Sequence, residues 1–337
     1  MKTVHILGNG KAEVIEVAEP EPVDSKVVVK IESSLICGTE KGMYLGPNAL
    51  PDNGGHEAAG VVYATDKSEK VKEGDHVTVF LSFTHCHRCP ACLSGEWLHC
   101  WYPPPRVKGR RGTHSQYILV PDYLCLPVPQ DMPFDHAALV GDCFGTPFRA
   151  LKRLGINGSD TVLVTGSGPM GVAAARLAKF YGATVIATST NEYRFEQMSK
   201  DAADYVFNPK KDDVVAKVRE LTDNRGATVA LECCGAESAQ RECLDAVGVL
   251  GKIAFLGLRN EHVPVNLYRH LNSKELMIIG SWASTPPEHF DILGLIKRGM
   301  PVDGIITHRY GMNDGAKAFE KFGAGGAMKI AIHPWDD

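Results

Sequence analysis

No stretch of this 337-residue chain approaches the ~20 consecutive apolar residues that a membrane helix needs, so no span is expected. Met1–Gly10 lacks the apolar core of a secretion signal, and a cytoplasmic location is the expectation. Charge of one sign is scarce too. The 36 Lys and Arg nearly balance 40 Asp and Glu for a net −4, which leaves no footprint for nucleic acid or an anionic membrane. There is no internal repeat and no low-complexity tract. With 44% hydrophobic and 23% charged residues, neither disorder nor coiled coil is the main architecture. Cysteine, by contrast, is plentiful at ten. A chain this long buries a core without bridges, and cytoplasmic proteins seldom keep disulfides. Four of the ten, Cys86, Cys89, Cys92 and Cys100, crowd into fifteen residues, which points to metal before it points to bridges.

The length suggests two domains. The first ~150 residues carry short strand-like runs (Val27–Ile31, Gly60–Tyr63, His76–Phe80 and Gln116–Val120) separated by Gly, Pro and Asp, the pattern of a partly closed barrel. Residues 101–113, with three consecutive prolines and four basic residues, read as a loop. Near residue 150 the pattern changes. Apolar runs at Thr161–Thr165, Thr184–Thr188, Tyr205–Phe207, Thr228–Leu231, Ile253–Leu256 and Leu276–Ile279 alternate with helical stretches such as Val214–Leu221 and Ser238–Val247. Six such strands predict a doubly wound parallel sheet. After about residue 288 helix and strand signals return, and the chain is expected to rejoin the first domain.

Gly166-Ser167-Gly168-Pro169-Met170-Gly171 follows a strand and opens a helix, the context a dinucleotide-binding turn requires. The first glycine permits the turn, the second admits a pyrophosphate, and the third lets helix and strand pack closely. Where the next strand ends, Ser189 stands at the place of the acid that holds ribose hydroxyls for NAD. A small hydroxyl with Arg194 nearby would take a 2′-phosphate and favours NADP slightly, although Arg194 as a solvated residue and Glu192 on the ribose are the alternative. Cys86-x2-Cys89-x2-Cys92-x7-Cys100 fits four thiolates around a closed structural zinc, with His85, His87 and His99 as flanking loop residues. Cys37-Gly38-Thr39 and Gly55-His56-Glu57 offer two ligands for a second zinc. Taken singly, Cys37 is as readily a small buried hydrophobe and His56 a satisfied core histidine.

In this order and spacing, these elements resemble the zinc-dependent medium-chain dehydrogenase/reductase superfamily of alcohol, sorbitol, threonine and formaldehyde dehydrogenases. The resemblance spans most of the chain. It implies an α/β protein with a GroES-like β-barrel catalytic domain at 1–148 and 289–337, holding a structural zinc lobe at about 85–101. A Rossmann dinucleotide-binding domain is implied at 149–288. It also implies two zinc ions per chain. Cys37 and His56 become ligands of a catalytic zinc, Glu57 a neighbouring or alternate ligand, and Thr39 the hydroxyl that passes the substrate proton. The third ligand should lie four residues before the cofactor-side Thr146, which selects Asp142; Cys143, the softer ligand type, is the rival. Lys329 falls where the family often has a basic residue near the cofactor phosphates, with a surface lysine as the bland alternative. The chain departs from the family at Gly42, where many members have a relay histidine, and at Glu40, where aspartate is usual.

The chemistry implied is hydride exchange between a secondary alcohol and NAD(P), giving a ketone, with zinc as Lewis acid. A carboxylate third ligand and Glu57 resemble polyol dehydrogenases, so a sugar, polyol or cyclitol is the expected substrate. Simple alcohols or aldehydes come next. The basic run Arg106–Arg111 is either a holder of a substrate phosphate or carboxylate, or a solvated loop. A non-catalytic dinucleotide-binding or redox-sensing protein is the reading of another class, and a zinc-ribbon nucleic-acid module fits the charge poorly. The apolar segment Glu275–Gly280 at a sheet edge predicts a homodimer or homotetramer.

Overall fold

The computed structural model describes residues 1–50, 52–81, 84–105, 111–259 and 261–336. Of the basic run, Arg106–Arg110 lie outside the described residues. The chain forms two compact units: Met1–Asp142 with Thr285–Leu293 and Val302–Asp337, and Cys143–Ser284 with Gly294–Pro301. Among the described residues no helix is long and apolar enough to cross a membrane.

The first unit opens with a hairpin, β1 (Lys2–Gly8) and β2 (Lys11–Glu16). Its two-residue turn, Asn9-Gly10, has φ of 53° and 70°, the left-handed pair that matches strand twist. The main sheet is built on β3 (Lys26–Ile36), which pairs antiparallel with β4 (Glu57–Ala64). Then come β5 (His76–Phe80), β6 (Tyr117–Pro121) and β7 (Cys125–Pro127). The sheet order is Ile306–Gly311, Lys329–His333, β3, β4, β5, β7, with β6 also on β3. Alternation decides what is inside. Val27, Val29 and Ile31 share one face of β3 and meet Val77, Val79, Ile118 and Val120 in a dry core. The far end of the same sheet packs Ile36, Ile330 and Ile332 with Val4, Ile6, Tyr44 and Phe319.

The second unit is a six-stranded sheet, parallel throughout. Its strands are β8 (Thr161–Thr165), β9 (Thr184–Thr188), β10 (Tyr205–Phe207), β11 (Ala227–Glu232), β12 (Val247–Phe255) and β13 (Met277–Gly280). The order β10-β9-β8-β11-β12-β13 reverses direction at β8 and β11, the switch point at which such sheets bind dinucleotides. β8, β9 and β11 are buried on both faces, as parallel strands covered by helices must be. β13 lies at the edge with Met277 half exposed. Val247, expected at a helix end, instead begins β12, because the helix Glu237–Ala246 stops one residue earlier.

Candidate active site

The second unit prepares a phosphate cradle with three different glycine requirements. Gly166 has φ of 99°, and a Cβ there would meet Cys234 Cβ at 2.9 Å. At Gly171 a Cβ would lie 1.9 Å from the Gly166 carbonyl oxygen, so only glycine lets helix Pro169–Phe180 seat against the turn. Gly168, between them, faces open space: a Cβ meets nothing within 4 Å. Gly168 is also the N-cap, with Pro169 at the first helical position and Met170 after it, so the helix N-terminus faces whatever occupies that space. Ser189 is buried after β9, its hydroxyl 2.7 Å from Ser167 Oγ and donating to the Asn191 carbonyl at 2.9 Å. Asn191 caps helix Glu192–Gln197 by accepting from the Arg194 backbone N–H. Thr146 is buried near the start of helix Gly145–Leu154.

In the first unit, Cys86, Cys89, Cys92 and Cys100 bring their sulfurs within 4.8 Å of one another. Three of these separations are 3.4, 3.9 and 4.0 Å. A disulfide would require about 2.05 Å, whereas zinc with bonds of about 2.3 Å in a tetrahedron spaces its sulfurs about 3.8 Å apart. Proline at the start of helix Pro90–Leu93 and a tight turn at Trp97–His99 fold the segment around this point. The histidines stay outside the set: His85 stacks on Trp97 at 3.7 Å, and His99 is exposed.

The second cluster lies where β3 and β4 end. Leu35 pairs with Glu57 in the ladder, so Cys37, two residues beyond, and His56, one residue before, emerge side by side. Asp142 joins them from a π-helical turn, Val140–Phe144, a local widening that often marks function. Lys329 opens the strand whose Ile330 pairs with Ile36, which brings it opposite the end of β3. Ligand-type atoms of Cys37, His56, Glu57 and Asp142 all lie within 4.8 Å of one another. Of the two adjacent rivals, Asp142 is in this set and Cys143 is not, among the described residues. Cys37 Sγ is 3.6 Å from Asp142 Oδ2, and His56 Nε2 is 3.5 Å from the same oxygen. The other ring nitrogen, Nδ1, lies 3.0 Å from the Gly54 carbonyl and 3.4 Å from Glu40 Oε1. Nδ1 therefore carries the proton and Nε2 faces the cluster.

Lys329 is no surface lysine. It is buried, and its ammonium pairs with Glu57 Oε1. No local sequence signal joins these two residues, which stand 272 positions apart. Thr39 is the exposed N-cap of helix Glu40–Leu45, and Gly42 is exposed with open space where a side chain would stand.

The electrostatics test whether this donor set suits a cation. Burial pushes the Cys37 thiol up, and the charges of Glu57 and Asp142 push it further. Burial also raises Glu57, with Lys329 opposing. For His56 burial disfavours the imidazolium, yet hydrogen bonds that the ring makes to Asp142 and Cys37 outweigh it and carry the ring well above its ordinary value. Glu57 Oε2 is buried with no hydrogen-bond donor among the described residues. Burial, and after it the neighbouring negative charge, thus raises the proton affinity of the Cys37 thiol and the Glu57 carboxyl, while Asp142 and Cys37 raise that of His56. That is the condition a divalent ion relieves by displacing the protons. The donors fit zinc with three protein ligands and an open position.

Comparison with known proteins agrees with both halves of this picture. Residues 23–130 match the family described as alcohol dehydrogenase GroES-like domain, and residues 169–298 match that described as zinc-binding dehydrogenase. The chain is similar to a sorbitol dehydrogenase of Halalkalibacterium halodurans, 29% identical with 100% of this chain and 99% of that one covered. It is 32% identical to an L-threonine 3-dehydrogenase of Pyrococcus abyssi, over 98% of this chain and 97% of the other. Its fold superposes on the alcohol dehydrogenase TADH from Thermus sp. ATN1 with a TM-score of 0.91 at 23% identity, covering 99% of each chain.

Proposed function

This chain belongs to the zinc-dependent medium-chain dehydrogenase superfamily, and from that membership we propose that it oxidises a secondary alcohol of a polyol, sugar or cyclitol to the ketone with NAD(P), and reduces the ketone in reverse. The observation that carries the reading is the gathering of Cys37, His56, Glu57 and Asp142 at the end of one strand pair. In this reading Cys37, His56 and Asp142 hold one zinc, and Cys86, Cys89, Cys92 and Cys100 hold another. Zinc at the first site supplies a Lewis acid that acidifies a substrate hydroxyl, and the nicotinamide supplies the hydride acceptor.

The chain's own residues do the rest. Glu57, fixed by Lys329, keeps a carboxylate oxygen beside the ligands as a neighbouring or alternate ligand. Thr39, exposed at its N-cap, takes the hydroxyl proton. Gly42 offers no imidazole, and the open space there lets water carry that proton onward. Gly166, Gly168 and Gly171 seat the pyrophosphate. Ser189, carrying no carboxylate, admits a 2′-phosphate and so NADP. Sorbitol and L-threonine, which name two of the similar enzymes, both carry a secondary hydroxyl. That common feature supports the substrate class. The edge strand β13 supports self-association as a dimer or tetramer.

The test is metal analysis together with nicotinamide absorbance, using both cofactors against polyols, sugars, cyclitols, L-threonine and simple alcohols. Two zinc ions per active chain and turnover of a polyol-type secondary alcohol are expected. Full activity with one zinc would overturn the metal assignment. Turnover of simple primary alcohols alone would overturn the substrate class, and cofactor binding without any turnover would favour a sensor.

A further inference from the structure

Behind His56, on the side away from Cys37 and Asp142, lies a second layer of wholly buried polar groups. Glu40 is 0% exposed. One of its oxygens, Oε1, approaches His56 Nδ1 at 3.4 Å and has no hydrogen bond among the described residues. The other, Oε2, accepts from His114 Nε2 at 2.9 Å. His114 is also fully buried, and its Nδ1 lies 2.8 Å from Ser34 Oγ, which donates in turn to Thr113 Oγ1 at 2.8 Å.

The His114 ring has little freedom to move. Its edge meets Phe319 at 5.4 Å, its backbone carbonyl accepts from Val4 N and Asn53 Nδ2, and its backbone N–H reaches Asn53 Oδ1. The segment holding His114 is pressed against the segment holding His56. A Cβ on Gly55 would meet Thr113 Oγ1 at 2.7 Å and the His114 backbone nitrogen at 2.9 Å. A Cβ on Gly112 would fall 2.0 Å from Asn53 Oδ1. Two glycines and Asn53 thus lock Gly112–Ser115 to Asn53–His56.

We infer that His114 is a positioning residue for the metal centre, holding the Glu40 carboxylate against the Nδ1–H of His56 so that Nε2 stays aimed at the ion. This rests on the metal-site reading above. A carboxylate buried this completely needs a donor to keep its place. His114 supplies it, with its own far nitrogen anchored by Ser34. Held there, the negative charge of Glu40 favours the electron donation and partial positive charge that ligation places on the His56 ring. Without His114, Glu40 loses its anchoring donor, and its charge is no longer held 3.4 Å from His56 Nδ1.

The test compares wild type with His114→Phe, which keeps a ring of similar size, and His114→Gln, which restores a donor toward Glu40. The readouts are the affinity of the exchangeable zinc under chelator competition, the visible spectrum of the cobalt-substituted protein and the pH profile of turnover. The four-cysteine zinc serves as internal control. His114→Phe should weaken the exchangeable site about ten- to hundredfold, change the cobalt spectrum and leave the four-cysteine site alone, while His114→Gln recovers most of the affinity. If His114→Phe does not fold, Ser34→Ala, which removes one oxygen, should shift the same readouts in the same direction by a few-fold. Wild-type zinc affinity and cobalt spectrum in the folded variant, or a loss in His114→Gln equal to that in His114→Phe, would overturn the inference. A wild-type protein with no exchangeable zinc would instead overturn the metal-site reading.

Discussion

Replacing Lys329 by methionine removes the ammonium from an ion pair that water does not reach: the two side chains are 5% and 1% exposed. Methionine keeps most of the stem, so packing changes little and the perturbation is mainly one of charge. Among the described residues Lys329 is the one donor to Glu57, whose second oxygen already has none. Breaking a buried pair by removing one partner costs about 3–5 kcal/mol, because an uncompensated charge is left behind. That figure applies to the protein without metal. With a divalent cation among Cys37, His56 and Asp142, the stranded carboxylate has a new counter-charge within a few ångströms, and part of the cost disappears. The zinc-loaded variant should therefore lose at least ~1.4 kcal/mol less than the metal-free one. By the thermodynamic cycle, that means zinc binding at least about tenfold tighter than in wild type. Urea unfolding of Lys329→Met and wild type, each with chelator and with saturating zinc, measures all four corners. Lys329→Arg, which keeps the charge, should stay near wild type in both states. Equal destabilisation with and without zinc, or weaker zinc binding in Lys329→Met, would refute the electrostatic reasoning.

Asp142→Ala should lose the exchangeable zinc and nearly all turnover, while Cys143→Ser keeps both apart from a small packing cost; metal analysis on the purified variants decides, and the reverse pattern would move the ligand by one residue. Gly171→Ala drives a methyl group to 1.9 Å from the Gly166 carbonyl and should cost about 1–3 kcal/mol of stability. Gly168→Ala meets nothing within 4 Å, so it should leave the melting temperature alone yet weaken the cofactor about tenfold or more, ~1.4 kcal/mol, by titration. The cluster of Asp135, His333, Ser33 and Arg309 should give a pH-dependent stability term. Burial alone would raise Asp135, but hydrogen bonds from His333 and Ser33 hold it well below the usual carboxylate range, and Asp135 in turn lifts His333 above its ordinary value. The His333 contribution is present below about pH 6.5 and lost as pH rises through its raised value; that of Asp135 is present above about pH 4 and lost as pH falls through its depressed value. Urea unfolding of His333→Gln should therefore differ most from wild type between those limits, and a difference independent of pH would refute the linkage.

How much of this was legible in the sequence depends on how local each requirement is. Gly166, Gly168 and Gly171 could be read in place, because each satisfies a demand made by atoms a few residues away: a positive φ, an open approach and a close helix. The four cysteines were legible for the same reason, since ligand spacing within fifteen residues is itself a geometry. Cys37 and His56 were different. Singly each had a bland reading, and only the order of all the motifs together singled them out. Their proximity is a product of the β3–β4 register, which no short window contains. The pairing of Glu57 with Lys329 was hidden for a stronger reason, because it needs the last strand to lie beside β3. His114 carried no signal at all: its link to Glu40 crosses 74 residues and depends on two glycine contacts between loops. The hairpin at Asn9-Gly10 has a local signal, an Asn-Gly pair between two short strand-forming runs.

The sheet order has a consequence for how the protein is made. All six strands of the second unit lie between Thr161 and Gly280, so that unit has its whole sheet once the ribosome has passed that point. The first unit does not. β3 and β4 emerge early, but the strand Lys329–His333 that pairs with β3 emerges 272 residues after Glu57. Until then Glu57 has no ammonium beside it, and the apolar edge of β3 around Ile36 has no partner. The half-finished barrel must wait while a complete domain forms downstream. Emergence of Lys329, rather than emergence of the ligands, is the event that completes the metal centre. Nascent chains arrested before Lys329 should accordingly expose the β3 edge to chaperones and bind zinc at Cys37 and His56 without the ordered carboxylate beside it.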